Sequence, residues 1–311
     1  MSLIQKFAKY NHYPLSIIET CFFSKYPNIN NPELAPIFIV GAPRTGSTIL
    51  YQILSSNFEI LYINNLISKF YRNIIIGFWL NRIFFNNIKH QNYRSDFGNT
   101  DKYGFTAPSE CGDYWYQWLR RDQHFIDYPD VTNKMIETIK SDLNTVANKY
   151  KKPILIKNLA MGQRLRLIHE AFPNARIIFI RRNPVNTAKS IITARHIKNI
   201  SENEWWSIKP PNYKDLIKLP EYQKVIAQIY FCEKQIKEDI MLFRNDNIVT
   251  IYYEELLKNP DNEITSIAKR FNLIKTDNDP IQKLVMPSSK TMFDPETILL
   301  LEIEVKKYVW D

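Results

Sequence analysis

Residues Gly41 to Thr48 have the composition and spacing of an anion-binding loop. They follow a short apolar run, Ile37 to Val40, and precede residues 49–54, whose apolar side chains recur at helical spacing. A strand, a glycine-containing turn and a helix N-terminus together bind anions, because free backbone N–H groups and the helix dipole point at the ligand. The residues expected to bind a phosphate-like group here are Arg44, Thr45, Gly46, Ser47 and Thr48.

The loop departs at one position from the pattern GxxxxGK[ST], because Ser47 stands where that pattern has lysine. Arg44 is the only cation in the loop. A nucleoside triphosphatase needs the lysine on the β- and γ-phosphates and an acidic residue at a strand end to hold Mg²⁺. Glu254 and Glu255 are the one candidate for that acidic residue, but they also suit the first turn of a following helix. A kinase with a degenerate loop, or another nucleotide-binding protein, is therefore the alternative interpretation.

A second candidate anion site follows another apolar run. Arg181 and Arg182 come directly after residues 177–180. Pro184 can open a helix there, since its missing N–H is not needed in a first helical turn, and this puts Ser190 two turns into that helix. A guanidinium at the carboxyl edge of a parallel sheet can bind a phosphate bidentately. We therefore expect Arg182 and Ser190 to bind a second phosphate group.

Short apolar runs recur along the chain and predict the sheet that positions these residues. They cover residues 37–40, 154–156, 177–180 and 248–252, with a weaker candidate at 60–63. Runs without alternation suit parallel strands that are covered on both faces. Helical patterns lie between them, including one over 136–150 and one over 225–243. The predicted fold class is α/β, a central parallel sheet flanked by helices in a P-loop nucleotide-hydrolase-like arrangement, with a helical insertion after the first strands.

We predict a single domain over residues 1–311, with a turn-rich lead-in that ends at residue 36. Residues 64–152 interrupt the alternation of strand and helix with a long, aromatic and mostly helical pattern, and this insertion is the predicted acceptor pocket. Its most apolar stretch, 74–85, is too short to span a bilayer, which takes about 20 residues. A buried helix is the preferred interpretation of that stretch, and contact with a membrane surface or a substrate stays open.

The charge of the chain is concentrated near the second candidate site. The 41 Lys and Arg outnumber the 32 Asp and Glu, and the formal net charge is +9. Residues 151–200 alone contain eleven basic side chains and a single acidic one, Glu170. This distribution predicts an anionic ligand at one end of the sheet. Three widely separated cysteines and an N-terminus without a secretory pattern predict a soluble, cytoplasmic protein with reduced thiols.

The two anion sites together resemble the sulfotransferases that use 3′-phosphoadenosine 5′-phosphosulfate (PAPS), most of all the bacterial and Golgi-type branches. The resemblance begins with Pro43 to Thr48 and with Arg182-Asn-Pro followed by Ser190. It extends through Lys157, Phe172-Pro-Asn-Ala-Arg176 and Tyr253-Glu-Glu-Leu256, and so covers roughly residues 37–275. It implies that the first loop binds the 5′-phosphosulfate and that Arg182 and Ser190 bind the 3′-phosphate. Many family members have lysine at position 44, where this chain has arginine.

The resemblance also implies an activity. A sulfuryl group would pass from PAPS to a hydroxyl or amine of a small-molecule, sugar or lipid acceptor, and no metal is expected. In-line transfer needs cations around the moving group and a general base for the acceptor. Arg44 and Lys157 are the candidate cations, although Lys157 equally fits an exposed lysine at a strand end.

Glu110 resembles the acidic residue that the Glu-using branches place between the loop and the next core strand. It equally suits the start of a helix, and Asp113 and His124 are the reserve candidates for the general base. A nucleic-acid-binding module is a third interpretation of the basic surface, but the sequence contains no known nucleic-acid motif. Motifs of serine hydrolases and zinc enzymes are also absent, so those classes have no support.

Overall fold

The centre of the protein is a five-stranded sheet in which all neighbouring strands are parallel. The computed structural model describes residues 3–23, 26, 29–86, 88–91, 93–276 and 293–310. The strand order is β2-β3-β1-β4-β5, so β1 lies in the middle. The strands are β1 (Ile37–Val40), β2 (Leu61–Tyr62), β3 (Ile154–Lys157), β4 (Arg176–Arg181) and β5 (Ile248–Tyr252). All five predicted strands are confirmed, the weak second one with only two residues.

Helices cover both faces of the sheet, which confirms the α/β fold. They are α1 (Leu3–Tyr10), α2 (His12–Phe23), α3 (Ser47–Asn57), α4 (Asn65–Lys69), α5 (Ile74–Phe85), α6 (Gly112–Trp115), α7 (Asn133–Tyr150), α8 (Leu165–Ala171), α9 (Pro184–Ile197), α10 (Tyr213–Leu216), α11 (Glu221–Ile240), α12 (Tyr253–Lys258), α13 (Pro260–Phe271) and α14 (Pro295–Val305). Short 3-10 turns cover Pro32–Leu34, Tyr128–Asp130, Leu159–Gln163 and Asn245–Asn247. Among the described residues, no helix is long and apolar enough to cross a bilayer.

The strands contain continuous apolar runs because each one contributes to two cores. Successive side chains of a strand point to opposite faces. In β1, Phe38 and Val40 join the larger core, under helices that include α7, α8 and α11. Ile37 and Ile39 join the core on the other face, under α3, α12 and α13. Both faces of β1 are buried, so a polar residue within the strand would lose its hydration without a partner.

The predicted insertion, residues 64–152, is helical at its two ends and irregular in the middle. Helices α4, α5 and α7 account for most of its helical residues, whereas the described chain between α5 and α7 has only α6 and one 3-10 turn. Gly98 and Gly104 have φ of 95° and 97°, values that interrupt a helix and that glycine adopts readily. The prediction of a mostly helical segment is therefore wrong for this middle part.

Two further differences concern apolar helices. Residues Ile74 to Phe78 of α5 are buried as predicted, but Ile83 and Phe84 near its end are exposed. The predicted lead-in contains α1 and α2, which the sequence patterns did not predict. Part of that lead-in (residues 1, 2, 24, 25, 27 and 28) lies outside the described residues.

A buried polar network connects α2 to the insertion. The Glu19 carboxylate accepts hydrogen bonds from Asn73 Nδ2 at 3.0 Å and from the Ile76 N–H at 3.1 Å. The Tyr114 hydroxyl donates to Asp142 Oδ2 at 3.0 Å. Burial, reinforced by the charge of Glu19, raises the pKa of Asp142 from 3.8 to about 7. Folding therefore leaves Asp142 protonated over a pH range in which the unfolded chain has lost that proton.

We expect Asp142→Asn to weaken the pH dependence of stability. The wild type takes up a proton on folding between about pH 4 and pH 7, so its free energy of unfolding falls as the pH rises through that window. The asparagine side chain of the variant cannot ionise, and its Oδ1 still accepts the Tyr114 hydrogen bond. At pH 8 the variant should be the more stable protein, by on the order of 2 kcal/mol. Urea denaturation at pH 5 and pH 8 measures this, with Asp246→Asn on the surface as control. If the free energy of unfolding of Asp142→Asn fell between pH 5 and pH 8 as much as that of the wild type, Asp142 would not be the group responsible.

Candidate functional site

The carboxyl ends of the three central strands meet at one crevice. Lys157 is the last residue of β3, Gly41 follows β1, and Arg182 follows β4. The sheet order puts β1 between β3 and β4, so these three residues lie side by side at the same edge. Crevices of this kind are where open α/β sheets bind ligands. The sheet thus brings together the two anion sites and the candidate cation Lys157, which are far apart in the sequence.

The first anion site is the turn between β1 and α3. Gly46 caps α3 with φ of 90°, and no side chain in the described part of the protein caps this helix. Thr45 is fully buried, and its hydroxyl donates to the Ala42 carbonyl oxygen at 2.9 Å. Ser47 and Thr48 begin the helix, so their N–H groups point out of its end. These amides are a candidate anion cradle, and the hydrogen bond of Thr45 within the turn holds its shape.

The two predicted anion sites form a single cluster. Arg44 Nε donates to Ser190 Oγ at 3.1 Å, and Arg182 Nη1 donates to the Arg44 carbonyl oxygen at 3.0 Å. Arg44 has φ of 68°, a strained conformation for a residue with a side chain. The hydrogen bond from Arg182 holds Arg44 in this conformation. The loop after β1, the end of β4 and helix α9 therefore share one network.

Both arginines of this cluster are partly buried. Burial lowers the pKa of Arg44, as does the nearby positive charge of Arg182. Burial also lowers the pKa of Arg182, against smaller opposing effects from Tyr253 and Glu254. Arg182 Nε is buried without a hydrogen-bond partner among the described residues. A buried, unsatisfied donor on a cation costs free energy, and an anion in the crevice would remove that cost.

Glu110, Lys157 and Thr48 form a second cluster beside the first. Lys157 is only 2% exposed; its ammonium bonds to the Glu110 Oε1 atom and lies 3.2 Å from Thr48 Oγ1. Glu110 Oε2 accepts the Leu159 N–H at 3.0 Å. Lys157 is thus a buried residue between the anion loop and a carboxylate, rather than an exposed lysine at a strand end.

Glu110 also faces a cavity of about 550 Å³. Most of the lining comes from the insertion, and the rest comes from Gln5, residues 158–160, Ser207 and Ile208. Cys111, Phe97 and Ser207 have positive φ values of 44°, 52° and 72°. Strained residues of this kind gather at functional sites, where the surrounding structure holds them in place.

The two reserve candidates for a base also line this cavity, but their partners differ. Asp113 forms an exposed salt bridge with Arg121 at 2.6 Å. His124 Nδ1 accepts the Lys209 N–H at 2.8 Å, and burial, followed by the charges of Arg164 and Lys209, lowers its pKa to about 4. Near neutral pH this ring is uncharged with its proton on Nε2, so it can donate a hydrogen bond but has no vacant acceptor nitrogen.

Glu254 belongs to the first turn of α12, which confirms the helix-start interpretation. Its Oε1 atom accepts the Asn183 N–H at 3.0 Å and so connects α12 to the segment after β4. Among the described residues, no group of three His, Cys, Asp or Glu side chains is arranged to hold a metal ion.

Two parts of the site were missed by the sequence patterns. The Phe97 ring lies 5.4 Å from the guanidinium carbon of Arg44, and a Cβ on Gly98 would lie 3.2 Å from Thr48 Oγ1. The Tyr253 ring lies 4.7 Å from the guanidinium carbon of Arg182. The pairing of Asp96 with Asn99 around a Phe-Gly dipeptide is a tight turn that sequence could have indicated. The sequence does not indicate that this turn packs against the loop between β1 and α3.

A comparison with protein families decides the assignment. The profile of the sulfotransferase family matches residues 36–277, which include the whole sheet and both clusters. The chain belongs to the sulfotransferase family. None of the curated proteins matches its sequence.

Solved sulfotransferase structures share the fold at low sequence identity. Sulfotransferase STF1 from Mycobacterium tuberculosis H37Rv is 13% identical with a TM-score of 0.52, covering 85% of this chain and 73% of STF1. Sulfotransferase STF9 from Mycobacterium avium is 12% identical with a TM-score of 0.54, covering 96% of this chain and 73% of STF9. These likenesses agree with the parallel sheet and its flanking helices. The family match supports an enzyme, and the solved structures show that the fold is shared.

We expect Gly46→Ala to destabilise this sulfotransferase more than Gly104→Ala does. Both glycines have positive φ, 90° and 97°, so both substitutions carry a backbone cost of about 1 kcal/mol. A Cβ at position 46 would lie 2.2 Å from Cδ2 of Tyr253, whereas a Cβ at position 104 meets none of the described residues within 4 Å. The expected loss in the free energy of unfolding is about 3 kcal/mol for Gly46→Ala and about 1 kcal/mol for Gly104→Ala. Urea denaturation measures both, and equal losses would mean that the ring moves aside without cost.

Proposed function

We propose that this sulfotransferase transfers a sulfuryl group from PAPS to a hydroxyl or amine acceptor by in-line displacement. The observation that carries the proposal is the union of the two anion sites, in which Arg44 contacts Ser190 and Arg182 contacts Arg44. A donor with phosphate groups on both the 3′ and the 5′ oxygen of its ribose matches two joined anion sites better than a donor with a single phosphate does. The Nε atom of Arg182, buried and unsatisfied within the described structure, supports the same match.

Each part of the donor has candidate partners in the chain. The N–H groups at the start of α3, with Thr45, Gly46, Ser47 and Thr48, suit the 5′-phosphosulfate. Arg182 and Ser190 suit the 3′-phosphate, since a guanidinium and a hydroxyl both donate to phosphate oxygens. Arg44 lies between the two groups and contributes its charge to both. The supporting facts are the contacts among these residues and the start of α3, which no described side chain caps.

Glu110 is the proposed general base. Its two oxygens accept hydrogen bonds from Lys157 and from the Leu159 N–H, and each carboxylate oxygen has a second lone pair. The acceptor proton passes to Glu110 as the acceptor oxygen or nitrogen bonds to sulfur, and the bond from sulfur to the bridging phosphate oxygen breaks. The by-product is 3′,5′-bisphosphoadenosine. General-base catalysis contributes about 10² to 10⁴ in rate.

Lys157 is the proposed electrostatic catalyst. Its ammonium lies between Glu110 and the Thr48 hydroxyl, so it is close to both the base and the anion cradle. A buried cation at this point stabilises the negative charge that builds up on the leaving phosphate. Arg44 adds a second cation, and it acts by charge because a guanidinium does not give up its proton near neutral pH.

The cavity next to Glu110 is the proposed acceptor site. Its lining includes the polar residues Asn99, Asp101 and His124. These side chains can donate and accept hydrogen bonds, which favours an acceptor with several polar groups, such as a sugar or the polar head of a lipid. The supporting observation is that Glu110 lines this cavity and also bonds to Lys157.

We expect 3′,5′-bisphosphoadenosine to stabilise the wild type and to stabilise Arg182→Ala less. At 100 times its dissociation constant the ligand adds about 2.7 kcal/mol to the free energy of unfolding, and a tenfold weaker affinity reduces this to about 1.4 kcal/mol. Denaturation with and without ligand measures the difference. Arg270→Ala is the matched control, since that arginine pairs with the exposed Asp246 on the surface. Equal stabilisation of wild type and Arg182→Ala would remove the 3′-phosphate site from the proposal.

The same assay separates the alternatives. A degenerate P-loop kinase should bind ATP in a Mg²⁺-dependent manner and prefer it to the bisphosphate. A nucleic-acid-binding module should prefer long polyanions and lose affinity steeply with salt. Either preference would overturn the proposed donor.

We expect Glu110→Gln to lower turnover by about 10² to 10⁴ while the variant still binds 3′,5′-bisphosphoadenosine. Glutamine keeps the size of the side chain, but its single oxygen can accept from only one of Lys157 and the Leu159 N–H, and it cannot take the acceptor proton. The measurement is release of 3′,5′-bisphosphoadenosine from PAPS with a panel of sugar, phenol and lipid hydroxyls. Asp113→Asn is the control in the same cavity. If Glu110→Gln kept near-normal turnover, another residue would have to be the general base.

A further inference from the structure

The N-terminal helices α1 and α2 form one bent rod with an exposed apolar side. The Asn11 N–H donates to the Phe7 carbonyl oxygen and the Leu15 N–H donates to that of Asn11, so helical hydrogen bonding continues across the junction. Pro14 has no N–H to donate to Tyr10, which accounts for the break at this point. The rod is one structural unit even though it counts as two helices.

Exposed apolar side chains of this rod include one series at intervals of three and four, namely Leu3, Phe7, Tyr10, Pro14 and Ile17. Leu3 is 84% exposed, Phe7 56%, Tyr10 78% and Ile17 65%. Side chains at such intervals share one face of a helix. We call this set, with Pro14, the N-terminal apolar face. Apolar residues that are singly exposed are ordinary, but a row along 15 residues of helix indicates a binding surface.

The opposite side of the rod is attached to the protein. Ala8 and Phe23 are buried in the larger core. Glu19 accepts hydrogen bonds from Asn73 and from the Ile76 N–H at the start of α5. These contacts fix the rotation of α2, and so the N-terminal apolar face is held outward rather than turned into the core.

The charges of the rod identify the partner. Lys6 and Lys9 are exposed on α1, and Glu19, the one acidic residue of the two helices, bonds to the protein instead. Tyr10 and Tyr13 combine an apolar ring with a polar tip, as do residues that lie at a membrane interface. An apolar stripe bordered by lysines matches a lipid surface with negative charge. A second copy would instead bring identical lysines towards one another.

We propose that the N-terminal apolar face binds an anionic lipid surface, with its apolar side chains between the headgroups and with Lys6 and Lys9 on the lipid phosphates. Gln5 of the same helix lines the cavity that contains Glu110. Helix α1 therefore contributes both to the proposed lipid-binding face and to the lining of this cavity. The proposal concerns adsorption to the surface and does not depend on the chemistry of sulfuryl transfer.

Vesicle co-sedimentation tests the proposal on the full chain. The wild type should bind vesicles of phosphatidylglycerol and phosphatidylcholine, and bind pure phosphatidylcholine at least about tenfold more weakly. Phe7→Ser with Ile17→Ser should reduce the affinity for the anionic vesicles at least about tenfold, because two inserted apolar side chains are lost. Lys6→Gln with Lys9→Gln should reduce it about tenfold and make it less sensitive to salt.

The control variant is Met241→Ser with Val309→Ser, which removes two apolar side chains outside the face that are 78% and 68% exposed. It should bind like the wild type. All variants should keep the wild-type melting temperature, because exposed residues contribute little to stability.

Two results would overturn the proposal. One is equal vesicle binding by the wild type and by Phe7→Ser with Ile17→Ser. The other is a wild type that does not bind anionic vesicles. If light scattering then shows a dimer, and the same double variant is a monomer, the face is an interface between two copies. Stabilisation by 3′,5′-bisphosphoadenosine is measured separately, so failure of lipid binding is distinguishable from failure of the proposed activity.

Discussion

The hydrogen bond from Arg182 Nη1 to the Arg44 carbonyl oxygen joins the end of β4 to the loop after β1. Arg44 has φ of 68°, a conformation that an isolated turn would leave, and this bond supplies part of what holds it. With its backbone held in this way, the Arg44 side chain reaches Ser190 on α9. The three contributors come from three separate stretches of the chain, and parallel neighbours in the sheet bring them together.

Burial of positive charge is the cost of this arrangement. Arg44, Arg182 and Lys157 all lie at the same sheet edge, yet within the described structure only Lys157 of the three forms a salt bridge with a carboxylate there. Two partly buried guanidinium groups close to one another are unfavourable, and burial, followed by the charge of Arg182, lowers the pKa of Arg44. An anionic ligand bound at this edge would offset this penalty. Only part of the positive charge of residues 151–200 lies at this edge, since Lys152, Arg166 and Arg195 form salt bridges with carboxylates elsewhere.

Much of the fold could be predicted from the sequence, as could the residues that meet in part of the candidate site. The strands are predictable because parallel strands that are buried on both faces need continuous apolar runs. The candidate anion loop is predictable because its glycine and hydroxyl residues are consecutive. The lead-in helices were missed because their apolar residues face outward, so periodicity did not indicate a core. The middle of the insertion was misjudged because aromatic residues there resemble a helical pattern, while Gly98 and Gly104 impose turns.

By itself, the sequence determined which residues follow each strand, and parallel pairing then required those residues to share one edge. The sequence also determined which functional groups are available at that edge, because the arginine, lysine, serine and glutamate residues are visible in the sequence itself. Only the tertiary structure decided that the two anion sites are one cluster, that Lys157 is buried between Thr48 and Glu110, and that His124 has its Nδ1 atom occupied. These facts depend on contacts between side chains from distant segments of the chain. Packing in three dimensions determines such contacts, and spacing along the chain does not.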